Sequence, residues 1–378
     1  MKKIVFLVLH LGYGGVERAI VSQANLLCKK YTVEIISTYK IREKPAFLLD
    51  DKVKVKYLIP DKKPNKDKVR GALKSFNLLA LFRESFKSLE ILYLRRKTMI
   101  NEIKNIHADY IISSRILYNR WLSKYKRSGT ITIAQEHSHH HNNERYIKKL
   151  LRSLNGIDFF MPVSKKLYEF YAERIKSGTK CIYIPHFLDD IPNICSELNK
   201  FNIISIGRLS PEKGMLDLID VFHEVLKTHS NWMLNIVGDG VQRHEIEGKI
   251  KRLKIQDNVI LHGFKSRDDI NSLLLNSSIY VMTSYEESFG LVLIEAQSYG
   301  LPCIAFDSAE GASEIITNGL DGYLIANRDK NEMVFKINNL IDNENIRKKL
   351  GKQAKLNSFK FSIEKIETKW DEFLNNMN

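Results

Sequence analysis

The chain has 378 residues, and at roughly 150 residues per domain that predicts two domains. It is 44% hydrophobic and 27% charged, a globular composition that excludes a mainly disordered chain. No apolar run reaches the ~20 residues of a membrane-spanning helix, so the net charge of +15 is carried by a protein expected to be non-spanning.

The opening MKKIVFLVLH imitates a signal peptide, but its apolar stretch ends at His10 and glycines follow. It reads as a first buried strand, and the protein as cytoplasmic. Further strands are expected at 33–37, 53–58, 110–113, 130–134, 159–163 and 182–184 in the first half. In the second half they are expected at 203–207, 234–237, 259–261, 279–282, 303–306 and 323–325. Most are continuous apolar runs, as in parallel strands buried on both faces. Helical stretches fall between them, so the fold class is α/β. The pattern restarts near residue 200, after a polar, aperiodic segment at 186–200 that reads as a linker. The four cysteines (Cys28, Cys181, Cys195, Cys303) form no C-x-x-C pair and read as reduced thiols.

Charge separates the halves. Residues 1–198 hold 37 Lys+Arg against 19 Asp+Glu, and residues 199–378 hold 22 against 25. The basic half suits nucleic acid, an anionic membrane surface or a phosphorylated ligand. Its densest part, Lys52 to Lys104, has 15 basic and 5 acidic residues. Within it, residues 69–103 show apolar residues at helical spacing with cations between them. Helices with a solvated basic face, or helices pressed on an anionic membrane, both fit that pattern.

The chemistry-bearing motifs sit at predicted strand ends. Gly12-Tyr13-Gly14-Gly15 follows the first strand and opens a helix, a place where backbone N–H groups meet an anion. Glu17 breaks the G-x-G-x-x-G fingerprint, so a nicotinamide cofactor is not expected. In the second half, Gly207-Arg208-Leu209-Ser210-Pro211-Glu212-Lys213-Gly214 places two cations five residues apart at a sheet edge. They suit a diphosphate. Gly238-Asp239-Gly240 and Leu261-His262-Gly263-Phe264 read as turns on the same edge, where Gly263 would admit a base and Phe264 pack on it. Glu286-Glu287-Ser288-Phe289-Gly290-Leu291 leads into a helix carrying Glu295. One carboxylate is placed to accept from sugar hydroxyls and the other to hold a ribose diol. After the strand at 130–134 comes Glu136-His137-Ser138-His139-His140-His141. Consecutive loop histidines point apart, so a loop lining a cleft is favoured over a metal site.

In order and spacing, GGVER, IGRLSPEKG, IVGDG, LHGF and EESFGLVLIEA resemble the retaining family-4 glycosyltransferases of the GT-B fold. GLPCIAFDSAEGASEIITNGLDGYLI fits the same family. The resemblance covers most of 200–327 and the first half more thinly. It implies two Rossmann-like domains facing a cleft: residues 1–186 on the acceptor side, with a C-terminal crossover helix at about 361–378, and residues 187–360 binding the nucleotide sugar. Arg208 and Lys213 resemble the diphosphate-binding pair, and Gly14 and Gly15 the loop that closes on it. Glu295 resembles the ribose ligand, Glu287 the carboxylate at the transferred sugar, and His137 a first-domain histidine that reaches that sugar. Gly263, Phe264, Ser288, Phe289, Gly290 and Leu291 complete the implied donor site. The implied reaction needs no metal or other cofactor. It moves a sugar, with UDP expected as the nucleotide, to a saccharide or polyprenyl-diphosphate-linked acceptor. The implied location is the inner face of the cell membrane, with no nucleic-acid partner. His186-Phe187-Leu188-Asp189 departs from the Asn-Gly of many relatives. A nucleotide-sugar 2-epimerase of the same architecture and a basic nucleic-acid-binding protein are the competing readings; no recognition motif accompanies the charge that would support the second.

Overall fold

The computed structural model describes residues 1–376; Met377 and Asn378, the end of the expected 361–378 helix, lie outside the described residues. The chain forms two compact units, Met1–Val163 with Leu167–Tyr183, and Ser164–Lys166 with Ile184–Asn378.

The first unit is built on seven parallel strands: β1 (Lys3–Val8), β2 (Thr32–Tyr39), β3 (Lys54–Ile59), β4 (Tyr110–Ser113), β5 (Ile131–Glu136), β6 (Phe159–Pro162) and β7 (Lys180–Cys181). Their order is β3-β2-β1-β4-β5-β6-β7. Ile4 to Val8 are essentially sealed from solvent, as a continuous apolar run in a central strand requires. Between strands run α1 (Gly15–Leu27), α2 (Lys66–Lys74), α3 (Leu78–Asn105), α4 (Ile116–Tyr125), α5 (Glu144–Ser153) and α6 (Lys165–Ala172).

The second unit repeats the plan with six parallel strands: β8 (Asn202–Ile206), β9 (Met233–Val237), β10 (Val259–Leu261), β11 (Ile279–Met282), β12 (Cys303–Phe306) and β13 (Gly322–Ile325), ordered β10-β9-β8-β11-β12-β13. Its helices are α7 (Met215–Leu226), α8 (Arg243–Leu253), α9 (Arg267–Leu275), α10 (Leu291–Ser298), α11 (Ala312–Ile315), α12 (Lys330–Asp342), α13 (Glu344–Ser358) and α14 (Ile363–Asn375). The core packs Leu218 and Phe222 of α7 and Met333 and Ile337 of α12 with Ile203, Leu234, Ile279 and Ile304 of the sheet.

In each unit the chain winds outward from a central strand, first one way and then the other. The reversal lies between β1 and β4 and between β8 and β11. Ligands of such sheets bind outside the carboxyl ends of the strands at that reversal. The fold therefore nominates the loops after those four strands.

Three expectations change. The seventh strand lies at Lys180–Cys181, not 182–184. Ile182 still donates to Phe160 O at 2.9 Å, but Pro185 has no N–H to extend the ladder. The 186–200 segment is not a free linker. Phe187, Leu188 and Leu198 are buried, and Leu188 and Ser196 donate to Phe361 O and Tyr299 O. The helical run at 69–103 divides at Ser75–Asn77, where Phe76 has φ 50° and Asn77 Oδ1 accepts from Ala80 N at 2.9 Å to start α3.

Candidate active site

In the second unit, β8 ends at Ile206 and Gly207 donates to Val237 O at 2.9 Å. Arg208 stands exposed, and Pro211–Lys213 form one 3-10 turn. Glu212 lies between the two cations. Burial works against ionisation of its carboxyl, yet the Ser210 hydroxyl, Arg208 and Lys213 hold it below its ordinary value. Gly214 then takes a left-handed conformation (φ 63°), and a Cβ there would lie 2.1 Å from Thr283 O. Only glycine brings this turn against the end of β11. Thr283 Oγ1 donates to Gly214 O at 2.9 Å and fastens the two loops.

β11 runs out through Thr283 and Ser284 to Glu287. Gly290 (φ 99°) caps α10, and a Cβ on it would press Leu293 and Glu287. Leu293 N donates to Gly290 O at 2.8 Å, so of the first turn of α10 it is the N–H groups of Leu291 and Val292 that lie at the helix end where an anion is favoured. Glu287 is mostly covered and forms an ion pair with Lys213. Glu295, one turn into α10, is 4% exposed and pairs with Arg267 at the start of α9. Thus the structure joins Lys213 to Glu287 directly, and it sets Glu295 against a cation that sequence reading missed. No local pattern marks Arg267; it reaches Glu295 from a different element, 28 residues away in the chain.

The Phe289 ring is buried edge-on to His186 and Phe361, with centroids 5.3 and 5.8 Å away. Phe289 therefore offers a ligand its backbone rather than its ring. Ser288 stands beside it, half-buried. Gly263 O accepts from Gly238 N at 2.9 Å, and Leu209 N donates to Asp239 O at 3.0 Å, so the three strand-end turns are stitched by backbone. Phe264 stands 83% exposed at this edge.

A second missed residue supports both loops. Arg328 donates to Thr283 O (3.0 Å), Ser284 O (2.9 Å) and Asp217 (2.6 Å), and it stacks on Tyr285. Asp217, near the start of α7, also accepts from the Tyr285 hydroxyl (2.7 Å) and pairs with Lys330 (2.6 Å). Burial opposes its ionisation, but Lys330, Tyr285 and Arg328 hold its carboxyl below the ordinary value. Arg328 itself sits at φ 54°, a conformation that costs free energy and persists because its surroundings fix it.

In the first unit, the loops after β1, β4 and β5 meet. Val16, Arg115, Glu136, His137 and Tyr146 line a cavity of about 430 Å³. Gly14 and Gly15 open α1 above it. No atom lies within 4 Å of a Gly15 Cβ, so packing alone does not demand glycine there. Glu17 pairs with His10 at 3.4 Å and Arg115 at 3.9 Å. Glu136 is buried and its carboxyl is pushed up by desolvation, against bonds from Tyr146 Oη (2.5 Å) and Ser138 N (2.9 Å). His140 is buried and stacked on Phe170, and its Nδ1 accepts from Asn142 N. Among the described residues no group of three or more His, Cys, Asp or Glu is placed to hold a metal ion.

Residues 190–357 match the family model described as glycosyl transferases group 1. An exopolysaccharide phosphotransferase of Streptomyces coelicolor is 27% identical over 95% of this chain; the chain spans only 39% of that relative. A GalNAc-alpha-(1->4)-GalNAc-alpha-(1->3)-diNAcBac-PP-undecaprenol alpha-1,4-N-acetyl-D-galactosaminyltransferase of Campylobacter jejuni is 27% identical over 98% of this chain and 97% of its own. Among solved structures, TarM aligns with a TM-score of 0.80 at 17% identity, over 99% of each chain. Anabaena HepE in complex with UDP aligns at 0.73 and 19% identity, over 99% of this chain and 100% of that one. The structural likenesses establish the GT-B fold.

Proposed function

We propose that this chain, a glycosyltransferase carrying a group 1 domain at residues 190–357, moves a sugar from UDP to a saccharide or polyprenyl-diphosphate-linked acceptor with retention of configuration. The observation that carries the reading is the reversal-point edge of the second unit, where Arg208, Lys213, Glu287, Glu295 and the start of α10 converge. The relatives support the rest by what their names say: one works on a PP-undecaprenol acceptor, and one solved neighbour holds UDP.

In this reading residues 187–360 take the donor and residues 1–186 the acceptor. Glu295 holds the ribose diol, Gly263 and Phe264 receive the base, and Ser288 to Leu291 present backbone N–H groups. Lys213 leaves Glu287 for the diphosphate. That frees Glu287 to accept from hydroxyls of the transferred sugar, with His137 serving the same sugar. As the bond from the anomeric carbon to the phosphate oxygen breaks, charge builds on the diphosphate. Arg208, Lys213 and the α10 dipole stabilise it without reorganising. The acceptor oxygen bonds to the anomeric carbon on the same face, and its proton passes to the departing phosphate oxygen. Protein cations do the work a metal would do, so no cofactor is needed. No described helix is long and apolar enough to cross a membrane; we place the enzyme peripherally at the anionic inner face of the cell membrane, with no nucleic-acid partner.

The test incubates the protein with labelled UDP-sugars and lipid-linked oligosaccharide acceptors, with EDTA present. Transfer with the anomeric configuration kept, read by NMR, is expected. Free epimerised sugar, inverted product or loss of transfer on chelation would each overturn part of the reading.

A further inference from the structure

α3 has two apolar faces. One packs inward: Ile91 lies against Tyr39 and Ile59, and Met99 and Ile103 are fully buried. The other faces solvent. Leu78, Leu79, Phe82, Phe86, Leu89 and Tyr93 are 62–86% exposed. At 100° per residue these six fall within a stripe roughly 100° wide, the width of a helix face made to be covered. Phe76, in the turn between α2 and α3, extends the stripe at 90% exposure. A monomer's folding gives no reason to hold so many large apolar side chains in water along one line.

The charges around the stripe say what covers it. Residues 66–105 carry ten Lys+Arg and four Asp+Glu. Three of the acids are already neutralised by neighbours, and Glu84 also pairs with the rim cations Arg83 (3.3 Å) and Lys87 (3.5 Å). Glu84 is buried and accepts from Asn65 at 3.2 Å; Glu90 pairs with Lys62; Glu102 pairs with Lys56 at 2.6 Å. Lys74, Arg83, Lys87, Arg96 and Lys97 stand exposed. Two copies joined by this face would bring their cationic rims together, because a two-fold interface meets itself. A bilayer with anionic headgroups accepts both features at once: acyl chains take the stripe and headgroups take the rim.

We propose that the α2–α3 hairpin is the membrane-docking element, seated with the stripe from Leu78 to Tyr93 in the acyl boundary of an anionic leaflet. The inference rests on the reading of the enzyme as working at a membrane surface, and it assigns that attachment to one helix face rather than to basic charge in general.

The test uses the full chain and vesicles of phosphatidylcholine alone or mixed with phosphatidylglycerol. Wild type is expected to sediment with the mixed vesicles. Phe82→Glu combined with Phe86→Glu is expected to reduce the bound fraction about tenfold or more at unchanged melting temperature, since both side chains already face solvent. A Phe82→Trp variant is expected to show blue-shifted emission on the mixed vesicles. Equal binding by wild type and the double variant, with no shift from the tryptophan, would overturn the hairpin and leave peripheral attachment standing. No binding by wild type to any vesicle would overturn the attachment itself. A wild-type dimer that the double variant converts to a monomer, with vesicle binding intact, would give the stripe to a second copy and overturn the inference.

Discussion

The two units share one winding plan but solve opposite electrostatic problems at their strand ends. In the second, charges are paired: Lys213 with Glu287, Arg267 with Glu295, and Arg328 and Lys330 with Asp217. In the first, Glu17 is paired with Arg115 as well, but Glu136 is buried with hydroxyl and backbone donors, and desolvation pushes its carboxyl up. Paired ions preserve ready charge for a ligand that carries its own. A buried carboxyl held by neutral donors shapes a cavity instead. The same winding plan thus carries paired ions at the strand ends of one unit and a buried carboxyl beside a polar cavity in the other.

The largest expected effect tests the paired side. Lys213→Ala should lower turnover by ~10²-fold, the scale of losing one preorganised charge-stabilising donor. It would also strand Glu287 without its cation. Arg208→Ala should do the same without disturbing Glu287. Steady-state kinetics at saturating UDP-sugar is the measurement, and wild-type turnover in both variants would remove the cationic pair from the chemistry.

Next comes the support beneath the pair. Arg328→Ala removes the bonds to Thr283 O, Ser284 O and Asp217, and we expect about a tenfold loss of turnover with a lower melting temperature. Arg328→Lys keeps the charge but loses the fork and should recover only part. Full recovery would mean that charge alone, not the geometry of the fork, positions the loop.

Nucleotide affinity separates the glutamates. Glu295→Ala should weaken UDP binding about tenfold by calorimetry, the worth of a charged hydrogen bond. Glu287→Ala should spare UDP and damage transfer. Arg267→Ala should move UDP affinity by a smaller factor, because it removes only the partner of Glu295. His137→Ala, in the other unit, should lower transfer and leave UDP binding alone.

The smallest effect is a difference of sign with pH. Asp217 is held below its ordinary value, so its stabilisation is complete above an unfolded pKa of about 3.9 and is lost as pH falls further. Asp217→Asn should therefore cost most near neutrality, and the cost should shrink in acid. Glu136 is raised, so its contribution is complete below an unfolded pKa of about 4.3 and is lost as pH rises through the folded value. Glu136→Gln should gain melting temperature relative to wild type as pH rises. Parallel trends in the two variants would erase the contrast between the units.

The sequence by itself determined the alternation of buried parallel strands with helices, the restart near residue 200, and the strand-end motifs. Those signals are local: an apolar run, a glycine where the chain must turn left-handed, a cation a fixed number of residues on. It marked Arg208, Lys213 and Glu287 because each lies in the loop after such a strand end, and Glu295 because it lies in the helix that follows one. Only the tertiary structure decided that Lys213 pairs with Glu287, that Arg267 faces Glu295, and that Arg328 ties the two loops together. These partners stand 74, 28 and 44 or more residues apart, and no local pattern encodes a contact made by two packed elements. The apolar residues of 69–103 were equally legible as a helical pattern. Which of its two apolar faces was buried depended on the sheet it packs against, and a single periodicity cannot tell a face turned to the core from one left for a partner.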